Sequence, residues 1–599
     1  MNYTQDTGER IEAPINYYKS RLKTLQNKLI IQKRSLRNLS LLRLLVFLAT
    51  ALAMYWLYSG VGSLFYLGIP GCILFLFLVS KYIDLKYYYE KTQKLIEINT
   101  IELKVLNRDF KELSNGSEFL KSSHEFSKDI DLFGKGSFFQ YLNRTSLAEG
   151  KEKLAELLMA NDIENIKNRQ EALHELSKES NWRQEFAAMA SMIKAEISSN
   201  LVVQWINSYQ AFTPVRSKMF SILFSLGSIA LIIASASDLI NERFLLYWFF
   251  IGLGISGRFF KRVNKLSEHT TKLKSTFDQY HQLMKLLENK EFKSVILNNK
   301  LASIQKGAFK TSIVLKDFSK SLNSLDQRNN MLFGVLANGF LLWDLYQSRR
   351  IEEWIKSYSS EVEKWFDLIR FFDAHNSLAN FVFNHPKYCF PKISEEKIQM
   401  RALQASHPLL DSSRSVKNDF ELIKGQFLII TGANMAGKST FLRTVSLLVV
   451  MGNAGLPVCA EEFSYHPVKL ITSMRTSDSL TDDESYFFSE LKRLKFIVET
   501  IQNEKYFVIL DEILKGTNST DKANGSKKFI EKLVQAQITG IVATHDLSLC
   551  ELEENLSQVK NYYFDAEINN DELYFDYRLK KGVCKNMNAS FLLKKMNIV

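Results

Sequence analysis

The chain has 599 residues, with 77 Lys and Arg against 65 Asp and Glu for a net charge of +12, 8 Pro and 5 Cys. That length leaves room for several domains, and the scarcity of proline without any low-complexity linker speaks against loosely strung modules. Cys72, Cys389, Cys459, Cys550 and Cys584 are scattered, which fits a reducing cytoplasm and points to neither a disulfide framework nor zinc.

Residues 1–43 form a basic segment in which Leu22, Leu25, Leu29, Leu36 and Leu39 follow spacings of three and four with a break at Gln32, the pattern of a short cytoplasmic coiled coil. From Leu44 to Ser80 no charged residue or His occurs. Leu44 to Tyr58 and Leu64 to Val79 are each near the lower limit for crossing a hydrocarbon core of about 30 Å, with Ser59 to Ser63 as the turn. A soluble buried hairpin is disfavoured by the missing polar face and by the clustering of Tyr55, Trp56, Tyr58 and Tyr66 where an aromatic belt would lie. Residues 44–80 therefore read as a transmembrane hairpin, followed by a helical connector over 81–130 and a helical core over 131–395.

That core holds a second candidate hairpin at about 219–257, made of Met219 to Ser237 and, after Asp238, Asn241, Glu242 and Arg243, of Phe244 to Gly257. The second half is short for a span, so an interfacial or re-entrant element stays open beside a crossing one. Lys28, Lys33, Arg34, Arg37 and Arg43 precede the first hairpin, Lys81 and Lys86 follow it, and Arg216, Lys218, Arg258, Lys261 and Arg262 bracket the second. The positive-inside rule then predicts a multi-pass protein of the cell (inner) membrane with both flanks of each hairpin in the cytoplasm. The same lysines and arginines account for much of the net charge, so anionic lipid explains it as well as nucleic acid does. The first apolar run starts too far in, and lacks a small-residue cleavage site, to read as a cleaved signal. Phe259 to Ser303 and Ile351 to Phe383 read as long amphipathic helices.

Residues 396–599 change to an α/β pattern. Gln426 to Ile430 is a short buried strand that runs into TGANMAGKST (431–440), where Gly432, Gly437, Lys438 and Ser439 fit the spacing of a phosphate-cradling loop. In such a loop Lys438 reaches the β and γ oxygens of ATP, Ser439 supplies a hydroxyl to Mg²⁺, and Thr440 opens a helix whose N-terminal dipole favours anions. A second strand, Tyr506 to Leu510, ends in Asp511 and Glu512. Asp511 is placed to hold Mg²⁺ and Glu512 to orient or deprotonate the attacking water. A third, Gly540 to Ala543, ends in Thr544, His545 and Asp546, with His545 placed to sense the γ-phosphate. Each piece alone could be a buried strand with a polar end; three in this order predict an ATP hydrolase.

The strings around these motifs resemble one family, the MutS proteins of DNA mismatch repair: His407-Pro408, Asn418-Asp419, TGANMAGKSTFLR, GLPVCA (455–460), RTSD (475–478), ESYFFSE (484–490), DEILKGTNSTD (511–521) and ATHD (543–546). More weakly, LFGKGS (132–137), NRTS (143–146), Ile163 to Leu176 with NRQ (168–170), and SLA (377–379) look like that family's helical core. The resemblance implies a C-terminal α/β P-loop (ABC-like) ATPase domain preceded by an all-α core and lever region, here carrying the transmembrane hairpins. It implies that Asn434, with Met435, Ala436 and the loop residues, contacts nucleotide, that Ser485 completes the partner subunit's phosphate site, and that His545 is a switch histidine. It also implies a homodimer formed through the ATPase domain and binding of mismatched DNA. Leu514 and Lys515 stand where the family usually has Gly and Arg, and no counterpart of the mismatch-reading domain precedes the core. The nearest likeness to that reader's Phe-x-Glu motif is Phe110-Lys111-Glu112, on a charged helical stretch where a chance match is expected. Lys581 to Asn597 reads as the ordinary end of the ATPase domain. Two functions follow: a membrane-anchored MutS-like ATPase that binds DNA, or a membrane-associated ATPase acting on a protein or lipid partner without DNA.

Overall fold

The computed structural model describes residues 5–56, 66, 68–121, 123–193, 198–304, 309–394, 397–411, 413, 415–475, 486–515, 517–569 and 572–584, and the elements named below belong to these. The chain begins with a long antiparallel helical pair. Helix α1 runs over Gln5–Trp56 and α2 over Ile69–Leu106. The leucine stripe of the basic segment is the seam of this pair: Leu25 is buried with Leu95 and Ala188, and Gln32, at the break in the spacing, is buried in the same stripe. The predicted coiled coil is thus formed within the chain. Its register continues into the apolar part, where the Arg43 guanidinium lies 4.0 Å from the Tyr82 ring centroid and Phe47 faces Phe75 at 6.3 Å. At Gly71 the helices touch, since a Cβ there would fall 2.4 Å from Thr50 Cγ2. Beyond Arg43 the outer faces are bare hydrocarbon: Leu44, Leu45, Phe47, Leu48 and Leu52 on α1, and Ile73, Leu74, Leu76 and Phe77 on α2, are all exposed. The expected turn at Ser59 to Ser63 lies outside the described residues, as does most of the stretch before Ile69.

The helical core follows: α3 (Phe138–Leu142), α4 (Ala148–Met159), α5 (Ile166–Lys178), α6 (Ser180–Ser191), α7 (Ser199–Ser208), α8 (Ser217–Ala236), α9 (Arg243–Glu288), α10 (Val295–Ala302), α11 (Thr311–Asp326), α12 (Met331–Leu341) and α13 (Trp343–Asn384). Aromatic packing locks α9, α11 and α13 together. Phe318 stacks on Trp354 at 3.8 Å, and Phe277 meets Phe318 edge-on at 4.7 Å. Such pairs contribute about 0.5–1.5 kcal/mol each beyond the area they bury. A buried polar network seats the N-terminal pair on this bundle: Tyr18 donates to Asn384 Oδ1 at 2.8 Å, Asn384 donates to Glu102 at 2.7 Å, and Glu102 is paired with Arg144 at 2.7 Å.

Among the described residues three helices contain stretches long and apolar enough to cross a membrane, within Ala13–Trp56, Ser217–Ala236 and Arg243–Glu288; Met331–Leu341 is a shorter apolar helix. The stretch expected to end at Gly257 is the start of a 46-residue helix, because nothing at Gly257 breaks the backbone and the residues beyond turn an apolar face to the core.

After α13 the chain turns to sheet. A mixed four-stranded sheet in the order β1-β5-β2-β3 joins β1 (Lys392–Ile393), β2 (Ile398–Ala405), β3 (Asn418–Ile423) and β5 (Glu462–Tyr465). The second sheet holds β4 (Phe427–Gly432), β6 (Lys469–Ser473), β7 (Tyr506–Asp511), β8 (Gly540–Ala543), β9 (Val559–Phe564) and β12 (Leu579–Lys581), in the order β12-β9-β4-β8-β7-β6. A short antiparallel pair, β10 (Glu567–Asn569) and β11 (Glu572–Tyr574), stands apart. In the large sheet β4, β6, β7, β8 and β9 are parallel, so their carboxyl ends share one edge. Every residue of β4 and β8 is buried, as a parallel sheet covered on both faces requires. Helices α14 (Lys438–Asn453), α15 (Tyr486–Thr500) and α16 (Ser519–Gln535) complete this unit. The helical region precedes the α/β sheets in the chain and is docked against them.

Candidate functional site

The site lies where β4, β7 and β8 end side by side. After β4 the backbone enters left-handed conformations at Gly432 (φ 146°), Met435 (φ 67°) and Gly437 (φ 105°). Gly432 is required by space as well, since a Cβ there would sit 2.6 Å from the Phe564 carbonyl oxygen. The loop ends as Lys438 opens α14. Lys438 is buried and its Nζ donates to the carbonyls of Gly432 (2.8 Å) and Ala433 (3.0 Å), 3.3 Å from His545 Nε2. Burial pulls its ammonium pKa down, opposed by the nearby Glu512 and Asp511 carboxylates.

The acidic strand end meets this loop directly. Ser439 donates its hydroxyl to Asp511 Oδ2 at 2.6 Å. Burial raises the Asp511 pKa, while that hydrogen bond lowers it. Glu512, held with φ 51°, donates its backbone N–H to the carbonyl of Ala543 at the end of β8 (2.9 Å), and its carboxylate accepts from His545 Nε2 at 2.8 Å. Lys515 Nζ is 3.4 Å from the other oxygen. The histidine hydrogen bond is the main reason the Glu512 pKa is held down at about 2. Ser439 with Asp511, and Lys438 with His545 and Glu512, thus form two hydrogen-bonded groups side by side at the ends of β4, β7 and β8. Asn434, Met435 and Thr440 are exposed and line the cleft beside the loop, and Ala436 is buried beneath it. Ser485 lies outside the described residues.

A cleft of about 540 Å³ opens beside the loop, walled by His407, Asn418, Met435, Phe441, Phe564 and Tyr577. Burial brings the His407 pKa down to about 4, so its ring is neutral at physiological pH. Tyr577 was not anticipated from the sequence. Its ring covers Gly437, where a Cβ would lie 3.1 Å from Cδ1, and its carbonyl accepts from Asn418 Nδ2 at 3.0 Å. Only the fold carries it there, from beyond β9.

Four further residues tie the site to its surroundings. Glu490, buried, accepts from the backbone N–H groups of Leu514 (2.5 Å) and Lys515 (3.0 Å) and so fixes the turn after Glu512. Leu514 fills an apolar cluster; the turn places its side chain inward, against Gly525. Arg108, just beyond the end of α2, donates to the carbonyls of Pro408 (2.7 Å) and Leu410 (3.0 Å), beside His407. Helix α2 spans about 57 Å at 1.5 Å per residue, so one rigid element connects the apolar hairpin with the wall of the cleft. Asp129 accepts from Thr472 Oγ1 (2.6 Å) and from the N–H groups of Met474 and Arg475 (3.1 Å each), sealing the edge strand β6. Phe110 is buried against Tyr141 at 5.0 Å between ring centroids, so it belongs to the core and presents no ring to a partner.

A parallel sheet with this loop at its edge, following a helical region, is the architecture into which the comparisons with known proteins fall. Residues 428–594 match the family model described as MutS domain V. The chain is 34% identical over 242 residues to the DNA mismatch repair protein MutS of Methanosarcina mazei, covering 39% of this chain and 26% of that protein. It is 31% identical over 196 residues to human MutS protein homolog 4, covering 31% of this chain and 21% of that protein. With the MutS of Caldicellulosiruptor saccharolyticus it shares 31% over 246 residues, 39% of this chain and 28% of the relative. The C-terminal unit is therefore of the MutS domain V class. By that part the chain is similar to the MutS proteins, and it spans only about a quarter of the length of the curated relatives it matches.

Proposed function

We propose that this chain is a membrane-anchored, MutS-type ATPase that binds and hydrolyses ATP with Mg²⁺ in the cytoplasm and binds DNA through its phosphates without reading mismatches. The observation that carries the reading is the convergence of Lys438, Ser439, Asp511, Glu512 and His545 at one sheet edge. Ser439 and Asp511 offer hard oxygen ligands 2.6 Å apart, suited to Mg²⁺. That ion would neutralise charge on the β and γ phosphates. Lys438 leaves the two backbone carbonyls for phosphate oxygens, the N–H groups of the 432–439 loop cradle the same anion, and Glu512 accepts a proton from, or orients, the attacking water. His545, already on Glu512, holds that carboxylate in place and reports the γ-phosphate.

Assembly as a homodimer through the ATPase domain, with Ser485 completing the partner's site, is supported by the family relationship and by the ESYFFSE string. Mixing Lys438→Ala and Ser485→Ala chains is expected to restore activity above either alone, because one site of a mixed dimer keeps both groups. Mixed dimers with no gain in turnover would remove Ser485 from the site.

Membrane anchoring is supported by the exposed hydrocarbon of α1, α2, α8 and the start of α9 and by the basic residues at their ends. A cysteine in place of Asn241 is expected to label from outside intact cells, whereas one in place of Gly525 labels only after lysis. Labelling of the Asn241 position only after lysis would make the α8 and α9 pair a buried or interfacial element.

For DNA, the buried Phe110 supports binding without base readout. Affinity for a homoduplex and for a G·T duplex is expected to be equal and to fall steeply with salt, as for lysine and arginine contacts to phosphate. A mismatch preference of about tenfold, or 1.4 kcal/mol, would contradict this. The same buried phenylalanine, with so much of the basic charge beside apolar helices, favours a second reading in which the ATPase acts on a protein or lipid partner. ATP hydrolysis by purified protein that is unchanged by added DNA would select it.

A further inference from the structure

Helix α12 (Met331–Leu341) is short, apolar and unlike its neighbours. From Met331 to Trp343 no charged residue occurs. One face, Met331, Leu332, Val335 and Leu336, is bare: Met331 is 84% and Leu332 74% exposed. The opposite face is made of small residues, Gly334, Ala337 and Gly339, all buried. They allow backbone contact with α9, since a Cβ on Gly252 would lie 2.1 Å from the Gly339 carbonyl oxygen. Close approach through glycine is how helices associate when no water remains between them.

The end of α12 is the telling part. A helix C-terminus leaves carbonyls without intrahelical partners, and water normally satisfies them. Here serine hydroxyls of neighbouring helices do so. Ser228 of α8 donates to the Phe340 carbonyl at 2.5 Å, Ser225 of α8 to that of Leu341 at 3.3 Å, and Ser256 of α9 to that of Asn338 at 3.4 Å. Trp248 of α9 in turn donates its indole N–H to Ser228 Oγ at 2.8 Å. Ser225 and Ser228 lie at the middle of α8, and Phe249 and Gly252, also in contact with this end, lie at the middle of the apolar start of α9. The helix therefore ends at mid-depth of the apolar pair. Its entrance is on the basic side: Arg328, just before α12, donates to Asn264 at 2.5 Å and lies over Phe260, in the stretch of α9 that carries Arg258, Lys261 and Arg262.

A helix that is hydrocarbon outside, glycine inside and internally hydrogen-bonded at its buried end meets the conditions for non-spanning backbone at membrane depth. We propose that Met331–Leu341 is a re-entrant membrane helix, entering beside Arg328 and ending at the centre of the bilayer, and that with α8 and the start of α9 it forms one three-helix unit whose outer face contacts lipid acyl chains. The proposal rests on the membrane reading of α8 and α9 given above.

The test uses the full chain reconstituted in phosphatidylcholine–phosphatidylglycerol vesicles, with the exposed Cys72 replaced by serine. A fluorophore is attached at Leu336→Cys, at Met331→Cys or, as the reference on α8, at Ile229→Cys, and the chain without a new cysteine serves as blank. Brominated acyl chains are expected to quench the label at position 336 as strongly as the one at 229, and aqueous iodide to quench neither. The label at 331 is expected to respond to both quenchers, as at an entrance. Iodide quenching at 336 with bromolipid quenching at 229 would overturn the re-entrant helix and leave the α8 and α9 pair in the membrane. Shielding of 336 from both quenchers would overturn it too, by showing that protein, such as a second copy of the chain, covers the face. Iodide quenching at 229 itself would refute the membrane reading of α8, and the proposal with it.

Discussion

Lys438→Ala is expected to lose most ATP affinity and nearly all turnover, whereas Glu512→Gln is expected to bind ATP with unchanged affinity and fail to hydrolyse it. The two changes separate because the groups act at different stages. Lys438 is the only buried cation reaching the loop interior among the described residues, and removing it leaves several phosphate charges facing backbone N–H groups alone. Glu512 touches no backbone group of the loop; its carboxylate faces His545 and Lys515. General-base action is worth about 10²–10⁴ in rate, so the glutamine variant should fall by that factor with binding intact. The pH dependence follows from the depressed pKa. With Glu512 held at about 2, the carboxylate stays ionised through the working range, and turnover should show no acid limb from this residue above about pH 4. The same depression stabilises the fold above the ordinary glutamate pKa, and that contribution fades as pH falls through about 2. Nucleotide binding measured by fluorescence, beside single-turnover hydrolysis, checks both variants. Unchanged turnover in Glu512→Gln would remove this carboxylate from the chemistry.

What could be read from the sequence, and what could not, divides by the distance over which the information is written. The phosphate-type loop, the acidic strand end and the histidine strand end are local strings, each fixed by the strand or helix beside it, and the parallel sheet brings Lys438, Asp511, Glu512 and His545 together as their order implies. The leucine stripe was equally legible, including its break, because Gln32 keeps the helical spacing while changing chemistry. Helix α12 was not, since eleven residues match a core helix as well as a membrane one, and only the exposure of Met331 and Leu332 separates the two. Tyr577 and Asp129 gave no local signal. Their partners lie more than 130 residues away, and a lone aspartate or tyrosine in a loop is ordinarily solvated.

Asp129→Ala is expected to loosen the edge of the large sheet and, through it, the proposed nucleotide site. The carboxylate is buried and accepts three hydrogen bonds from the end of β6 and the two residues after it. Its removal strands the buried Met474 N–H, takes the acceptor from the part-buried Arg475 N–H and leaves the Thr472 hydroxyl only the Glu125 carbonyl at 3.4 Å, and each unsatisfied group costs about 1–3 kcal/mol. Relaxation and entering water reduce the sum, so about 3 kcal/mol is the expected loss, or roughly a hundredfold in the local opening equilibrium. The damage is directional. Arg475, whose N–H binds Asp129, also pairs through its guanidinium with Asp131 (2.5 and 3.0 Å), and Asp131 pairs with Arg443 of α14, the helix that Lys438 opens. Releasing Arg475 therefore frees one anchor of the helix behind the 432–439 loop. Hydrogen exchange at residues 470–475 should rise about a hundredfold, and turnover should fall although no catalytic group has been altered. Asp129→Asn keeps one carbonyl acceptor and should show a smaller change in both measurements. Exchange at these amides as slow in Asp129→Ala as in the parent chain would mean that β6 is held by its pairing with β7 alone, and that this contact does not link the helical region to the site.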